Sequence, residues 1–309
     1  MTTGTPVPSP CAPHCSTPSL PPFLVGALMR HHRTRAGLSC QKAGDVVGAS
    51  AGRIGELEKA RCPVSATTAR SLLTSYGAPA CEVQQALALL AHVGHQHQLD
   101  DFTPSQVWLD ALRASSRSVL VYSAGPLPAS LLTPAASPRP AAPGQRPAAP
   151  ARCRTVLLLH ESVLDRAPGG PAAVAHLSQL VRLAEDGVIT VRLVPGQLAA
   201  PAAPLVEFTC TAWGWAGSHA ELLRRQVYLA HHPCGTRSSV RNGLAATAEH
   251  QLLAEAARTA LPSRWSLHQL RQAVRAQQQP STSTGGPRTV RPVTPGPAPA
   301  SGGRTRRSA

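Results

Sequence analysis

Aromatic residues make up only 3 % of this 309-residue chain, so its core must be built mainly from Leu, Val and Ala. Lysine occurs only at Lys42 and Lys59, which leaves arginine to carry nearly all of the positive charge. No apolar run reaches the ~18–20 residues needed to span a bilayer. The opening MTTGTPVPSPCAPHC has neither a basic head nor a continuous apolar stretch, and so does not read as a signal peptide. A cytoplasmic protein is expected, with its eight cysteines mostly reduced. They lie scattered along the chain without a repeated C-x-x-C, and Cys11, His14 and Cys15 lack the second ligand pair that a closed zinc site needs. His160-Glu161 begins like an H-E-x-x-H zinc motif, but Leu164 stands in the second His position. His231-His232-Pro233-Cys234 reads as a loop, because adjacent His side chains point to different faces. No glycine-rich phosphate loop carries a lysine. These absences predict no metal, no cofactor and no catalytic set.

What is abundant is arginine. Thirty Lys+Arg against fifteen Asp+Glu give a formal net charge of +15, which favours a polyanionic partner, nucleic acid first. Composition divides the chain. Residues 1–20 are a Pro/Ser/Thr arm expected to be disordered. Residues 21–99 are a run of short helical patterns. Residues 100–133 lead into a second domain, and 134–151, PAASPRPAAPGQRPAAPA, form a Pro/Ala linker or insertion that cannot hold a helix or central strand. Residues 152–279 alternate strand-like and helix-like segments. The tail, 280–309, carries Arg288, Arg291, Arg304, Arg306 and Arg307 and no acid, and is expected to be disordered. The fold class is therefore α+β: an N-terminal all-α domain of five helices followed by a mixed α/β domain.

In the helical zone, Val25, Met29 and His32 fall at i, i+4 and i+7 on one face of a first helix that stops at Gly37. Ser39 is placed to cap a second helix with Ala43, Val46 and Val47 on its inner face, ending at Gly48. Ser50 is placed to cap a third, with Ile54 and Leu57 inward. A fourth spans Ser65 to Tyr76, and a fifth Ala80 to Val93 with Val83, Leu87 and Leu90 aligned. The informative segment is Leu38–Arg61, LSCQKAGDVVGASAGRIGELEKAR. It sets a helix of about eight residues, a Gly48-Ala49-Ser50 corner and a second short helix at the spacing of a DNA-binding helix-turn-helix.

On these residues the chain resembles the lambda-repressor-like, or XRE, helix-turn-helix family over about residues 23–77. The resemblance rests on the Arg33-x-x-x-Gly37-Leu38-Ser39 entry, the Gly48-Ala49-Ser50 turn and Ile54-x-x-Leu57-Glu58. It implies that Arg33 pairs with Glu58 to pin the first helix against the recognition helix. That helix, about Ser50 to Glu58, would lie in the major groove with Ala51, Gly52, Arg53 and Glu56 exposed. Arg53 is the best base or phosphate reader, because a guanidinium grips guanine O6/N7 or a phosphate with two bonds. Lys42, Lys59 and Arg61 are cast as phosphate contacts that position the duplex, and Gln41 as a substitute for the family's Gln, which touches phosphate or base. Cys40 stands where the family has Gln; Gln41 lies about 100° further around the helix.

Residues 154–195 read as strand, short helix, Gly169-Gly170-Pro171 turn, long helix over Ala172–Glu185 and a second strand, a β-α-β unit. Further strands are expected at 205–211 and 226–230, and helices at 245–259 and 267–278. This pattern is similar to the C-terminal domain of actinobacterial WhiJ-like, antitoxin-like regulators. That resemblance implies a domain sensing a ligand or a small partner protein encoded by a neighbouring gene. Trp213, Trp215 and Tyr228 fit a pocket lining or, more often for such residues, a core. The expected function is transcriptional regulation by a homodimer bound to double-stranded DNA, with no membrane partner. The alternative is an antitoxin-like interaction module with a vestigial helix-turn-helix, favoured by Cys40, Gly52 and Gly55. A third reading gives the arginine-bearing tail a non-specific hold on nucleic acid.

Overall fold

Why the first helix is central follows from its sequence. The computed structural model describes residues 19–92, 97–100, 102, 104–125, 127, 153–165, 170–210, 223, 225–231 and 238–278. Helix α1 (Leu20–Arg35) opens with prolines, whose missing N–H is harmless in a first turn. It then buries Leu20, Phe23, Leu24, Val25, Ala27, Leu28 and Met29 almost completely. The single stripe expected from Val25, Met29 and His32 widens to most of the circumference, because α1 is packed on several sides. Its neighbours are α3 (Ala51–Glu58), α4 (Ala66–Ser75), α5 (Ala80–Ala91) and α6 (Gln106–Ala114). With α2 (Cys40–Val47), α1 to α5 form the five-helix N-terminal region.

Each short helix stops and starts where local chemistry dictates. Gly37 takes φ +69°, and its N–H and that of Leu38 return to the carbonyls of Thr34 and Arg33, closing α1. Ser39, Ser50 and Ser65 each accept a hydrogen bond from the backbone N–H three residues on, satisfying an otherwise orphaned donor at the starts of α2, α3 and α4. On α2, Ala43 and Gly44 are buried but Val46 is 48 % exposed, contrary to the expected inner position. The inward stripe runs through 43, 44 and 47, rotated toward Gly44 where the backbone makes its closest approach. On α5 the buried set is Glu82, Val83, Ala86 and Leu89, whereas Leu87 and Leu90 are half-buried. His32, at a position suited to an apolar residue, is 5 % exposed and meets Glu82 of α5 at 2.6 Å between Nε2 and Oε2.

The rest is a sheet with helices on both faces. Among the described residues it has seven strands: β1 (Gln98–Leu99), β2 (Ser116–Ser123), β3 (Arg154–His160), β4 (Ile189–Val194), β5 (Leu205–Cys210), β6 (Gln226–His231) and β7 (Ser238–Asn242), in the order β1-β7-β6-β5-β2-β3-β4. β2, β3 and β4 are parallel; β5, β6, β7 and β1 complete the sheet antiparallel. The short α7 (Ser162–Asp165) and the long α8 (Gly170–Glu185) make the expected crossover from β3 to β4. Alternate residues face opposite sides, as the strand period of two requires. Val119, Val121, Leu157, Leu159, Val191, Phe208 and Leu229 join the core that also contains α1, α6 and α8. Tyr122, Leu158, Val194, Leu205 and Tyr228 pack under α9 (Thr247–Thr259) on the other face. Helix α10 (Ser263–Gln278) lies against α8 and β4.

One core therefore runs from the five helices into the sheet. α6 packs on α1 and leads directly into β2, and Trp108, 1 % exposed, donates its indole N–H to Gln85 Oε1 of α5 at 2.9 Å. Phe102 meets the Trp108 ring edge-on at 5.5 Å between centroids, an arrangement favoured by the ring quadrupole. The sequence patterns do not single out β1, β2, α6 or β7. The arm at 1–18, the stretch at 128–152 and the tail from 279 lie outside the described residues.

Candidate nucleic-acid interface

α2, the corner at Gly48–Ser50 and α3 make a helix-turn-helix whose angle is fixed by two close backbone approaches. Gly48 takes φ +64°, a left-handed conformation that an L side chain resists. Gly44 sits against the corner: a Cβ there would lie 2.1 Å from the Ala49 carbonyl oxygen. The Ala49 N–H donates to the Gly44 carbonyl at 2.9 Å. Gly44 is thus the small residue that lets the chain turn. Gly26 plays the same part for α1, since a Cβ there would come within 2.8 Å of the Glu58 carbonyl oxygen. Neither glycine stands out in the sequence, although Gly26 is seven residues before Arg33 and so shares its helical face.

Arg33 and Glu58 meet as the resemblance implies. Arg33 Nε and Nη2 donate to the two carboxylate oxygens of Glu58 at 2.6 and 2.9 Å, and Nη1 donates to the Leu38 carbonyl at 2.8 Å. The side chains are 11 % and 5 % exposed. The hydrogen bond to Glu58 holds the guanidinium pKa above its ordinary value, in spite of burial. Tyr76 is buried close by, and its phenol pKa is raised by burial first and by Glu58 second. This cluster ties the end of α1, the start of α2 and the end of α3 together, leaving the N-terminal half of α3 outward.

On that outward half, Gly52 and Arg53 are exposed and Ala51 is half-buried. Ile54 and Leu57 point into the core at 0 % and 4 % exposure. Ser50 caps α3 by accepting from the Arg53 N–H at 3.2 Å. Gln41 and Lys42 are exposed on the first turn of α2, where Gln41 donates to Asp45 at 3.1 Å. Glu56 is half-exposed and holds two of the other candidate cations, Arg61 Nη1 at 3.3 Å and Lys59 Nζ at 3.7 Å. Such exposed pairs contribute ~0–1 kcal/mol, so a phosphate competes with Glu56 for them at little cost. Of the sequence-derived residues, Gln41, Lys42, Ser50, Gly52, Arg53 and Arg61 are exposed, and Ala51, Glu56 and Lys59 are half-buried.

Gly48-Ala49-Ser50-Ala51-Gly52 has the G-x-S-x-G spacing that accompanies a nucleophilic serine in some hydrolases. That motif places its serine between a strand and a helix; here two helices flank it, and the Ser50 hydroxyl caps α3. Elsewhere, Tyr228 is a core residue at 1 % exposure, its hydroxyl 3.0 Å from Gln226 Oε1 and 2.7 Å from His250 Nδ1. Trp213 and Trp215 lie outside the described residues. Among the described residues no group of three or more His, Cys, Asp or Glu could hold a metal ion, and no helix is long and apolar enough to cross a membrane.

Comparison with known families agrees with this geometry. Residues 24–86 match the family model of a helix-turn-helix domain, from within α1 to about the middle of α5. Residues 144–272 match the model of a domain of unknown function, DUF5753. No curated protein and no solved structure matches the chain.

Proposed function

We propose that this chain is a DNA-binding transcriptional regulator that lays α3 in the major groove. The observation that carries the reading is the arrangement of α3. Its inner residues and Glu58 are locked to α1, while Arg53 stands free of the core beside a capped helix start. A guanidinium so placed can grip guanine with two hydrogen bonds, and Lys42, Lys59 and Arg61 flank it for phosphates. A homodimer is the expected binding form, because one short recognition helix reads too few base pairs alone. The sheet domain is read as the part that senses a ligand or a small partner protein, and the whole as a non-catalytic cytoplasmic protein.

The test is a titration of the full chain against its own promoter region and a scrambled duplex at two salt concentrations. Preference for the promoter that survives the higher salt supports the reading. Arg53→Ala should then weaken specific binding by about 1–3 kcal/mol; an unchanged affinity and footprint would remove Arg53 from the contact. Equal, steeply salt-dependent binding to both duplexes would favour the second reading, an antitoxin-like interaction module with a vestigial helix-turn-helix. Its supporting observation is that Gly52 and Gly55 offer no side chain to a base edge.

A further inference from the structure

Charge is segregated toward the end of the chain. After Glu255 there is no acidic residue, whereas residues 256–309 contain nine arginines. They supply nine of the fifteen net charges. Four cationic or potentially cationic residues of this stretch lie on α10: Arg264, His268, Arg271 and Arg275. They recur at i, i+4, i+7 and i+11 and so fall on one stripe, about 16 Å long at the helical rise. All four are exposed. Arg271 is paired with Glu185 of α8 at 2.6 and 2.9 Å, and His268 bonds Gln272 at 2.9 Å. Beside the stripe stands Trp265, 55 % exposed.

We infer that this outer face of α10, with Arg264, Trp265, His268 and Arg275, is a second, sequence-independent contact for the phosphate backbone of duplex DNA. An anionic membrane suits the face less well. The apolar side of α10 is already spent inward, with Ser266 and Leu270 at 0 % exposure and Val274 packed against the core. Only Trp265 remains to enter a bilayer, whereas an interfacial helix needs a whole apolar face. A phosphate backbone asks for spaced cations and tolerates a lone aromatic. The choice of DNA over other polyanions rests on reading α3 as a recognition helix, which would bring duplex to the chain. The same charge sign continues beyond α10 in Arg288, Arg291, Arg304, Arg306 and Arg307.

The test measures Kd of the full chain for a duplex of unrelated sequence across a salt series, for wild type, Arg264→Gln/Arg275→Gln, Arg264→Lys/Arg275→Lys and Arg53→Ala. Each phosphate contact contributes ~0.9 to the slope of log K against log salt. The glutamine variant should lose about 1.8 from that slope, and the lysine variant should retain it, since charge alone is read. The thermal unfolding midpoint should not move, because the substituted groups are exposed. A slope unchanged in the glutamine variant would overturn the inference. So would binding to phosphatidylserine vesicles that the glutamine variant loses while its DNA slope stays intact; that result would assign the face to a membrane. With the promoter duplex titrated alongside, promoter preference unaltered in Arg53→Ala would count against the recognition-helix reading alone, so the two failures are distinguishable.

Discussion

Glu58→Ala should be among the most damaging single substitutions in the helical region. The carboxylate accepts two hydrogen bonds from Arg33, at 2.6 and 2.9 Å, in surroundings that leave the two side chains 11 % and 5 % exposed. Its removal leaves a guanidinium under α3 with the Leu38 carbonyl as its remaining hydrogen-bond acceptor among the described residues. Breaking a buried pair in this way costs about 3–5 kcal/mol, against ~0–1 kcal/mol for a surface pair. Replacing both members by apolar residues of similar volume, as in Arg33→Met with Glu58→Leu, should recover most of that loss, because no uncompensated charge remains. The raised pKa of Arg33 has the matching sign, since the carboxylate stabilises the charged form. The assay is urea denaturation of the full chain followed by helical circular dichroism, comparing midpoints at constant m. A single-variant loss below about 1 kcal/mol, or a double variant as unstable as the single, would refute the view that this pair pins α1 to α3.

Gly44→Ala should destabilise the helix-turn-helix by about 1–3 kcal/mol, as overpacking does, because the new Cβ would sit 2.1 Å from the Ala49 carbonyl oxygen. Gly55→Ala has open space around its Cβ and should stabilise α3 by about 1 kcal/mol of helix propensity; chemical denaturation of both variants checks the contrast, and equal effects would contradict it. The pKa of His31 is lowered from 6.5, first by burial and next by His32, and that of His176 is lowered by burial. The unfolded chain then binds these protons more readily than the folded one, so stability is full above pH 6.5 and falls as pH drops below it toward the folded values. Urea midpoints at about pH 7.5 and about pH 5.5 should show this loss, and His31→Gln should reduce it; a midpoint that rises on acidification in wild type alone would reverse the sign.

The parts of this fold that were legible in the sequence are those fixed within one turn of chain. Ser39 and Ser50 announce helix starts because a side-chain oxygen three residues before a free N–H satisfies it locally, and Gly37 and Gly48 announce ends because only a left-handed residue closes them there. Likewise the centres of RTVLLLH and VITVRLV are dominated by Val, Leu and Ile because β3 and β4 are covered on both faces. What the sequence hid depends on contacts between distant segments. His32 is a polar residue in an apolar stripe whose partner, Glu82, lies fifty residues on, 2.6 Å away. Gly26 and Gly44 looked incidental because the backbone that crowds them belongs to α3 and the corner. β2, whose SRSVLVYS is punctuated by polar residues, lacks a clear strand alternation although it bridges the parallel and antiparallel halves of the sheet.

The same distinction governs the candidate interface. Its frame is set by Arg33, Glu58, Gly26 and Gly44, which between them fix where α3 lies relative to α1 and α2. Its readout is left to what projects from α3, and there Ala51, Gly52 and Gly55 contribute almost no hydrogen-bonding groups. A well-braced helix with one long cation should hold duplex DNA in a defined pose while discriminating at few base pairs. On the proposed reading, affinity would come from phosphate contacts and from pairing two copies, and specificity from Arg53 together with the shape of the groove it enters.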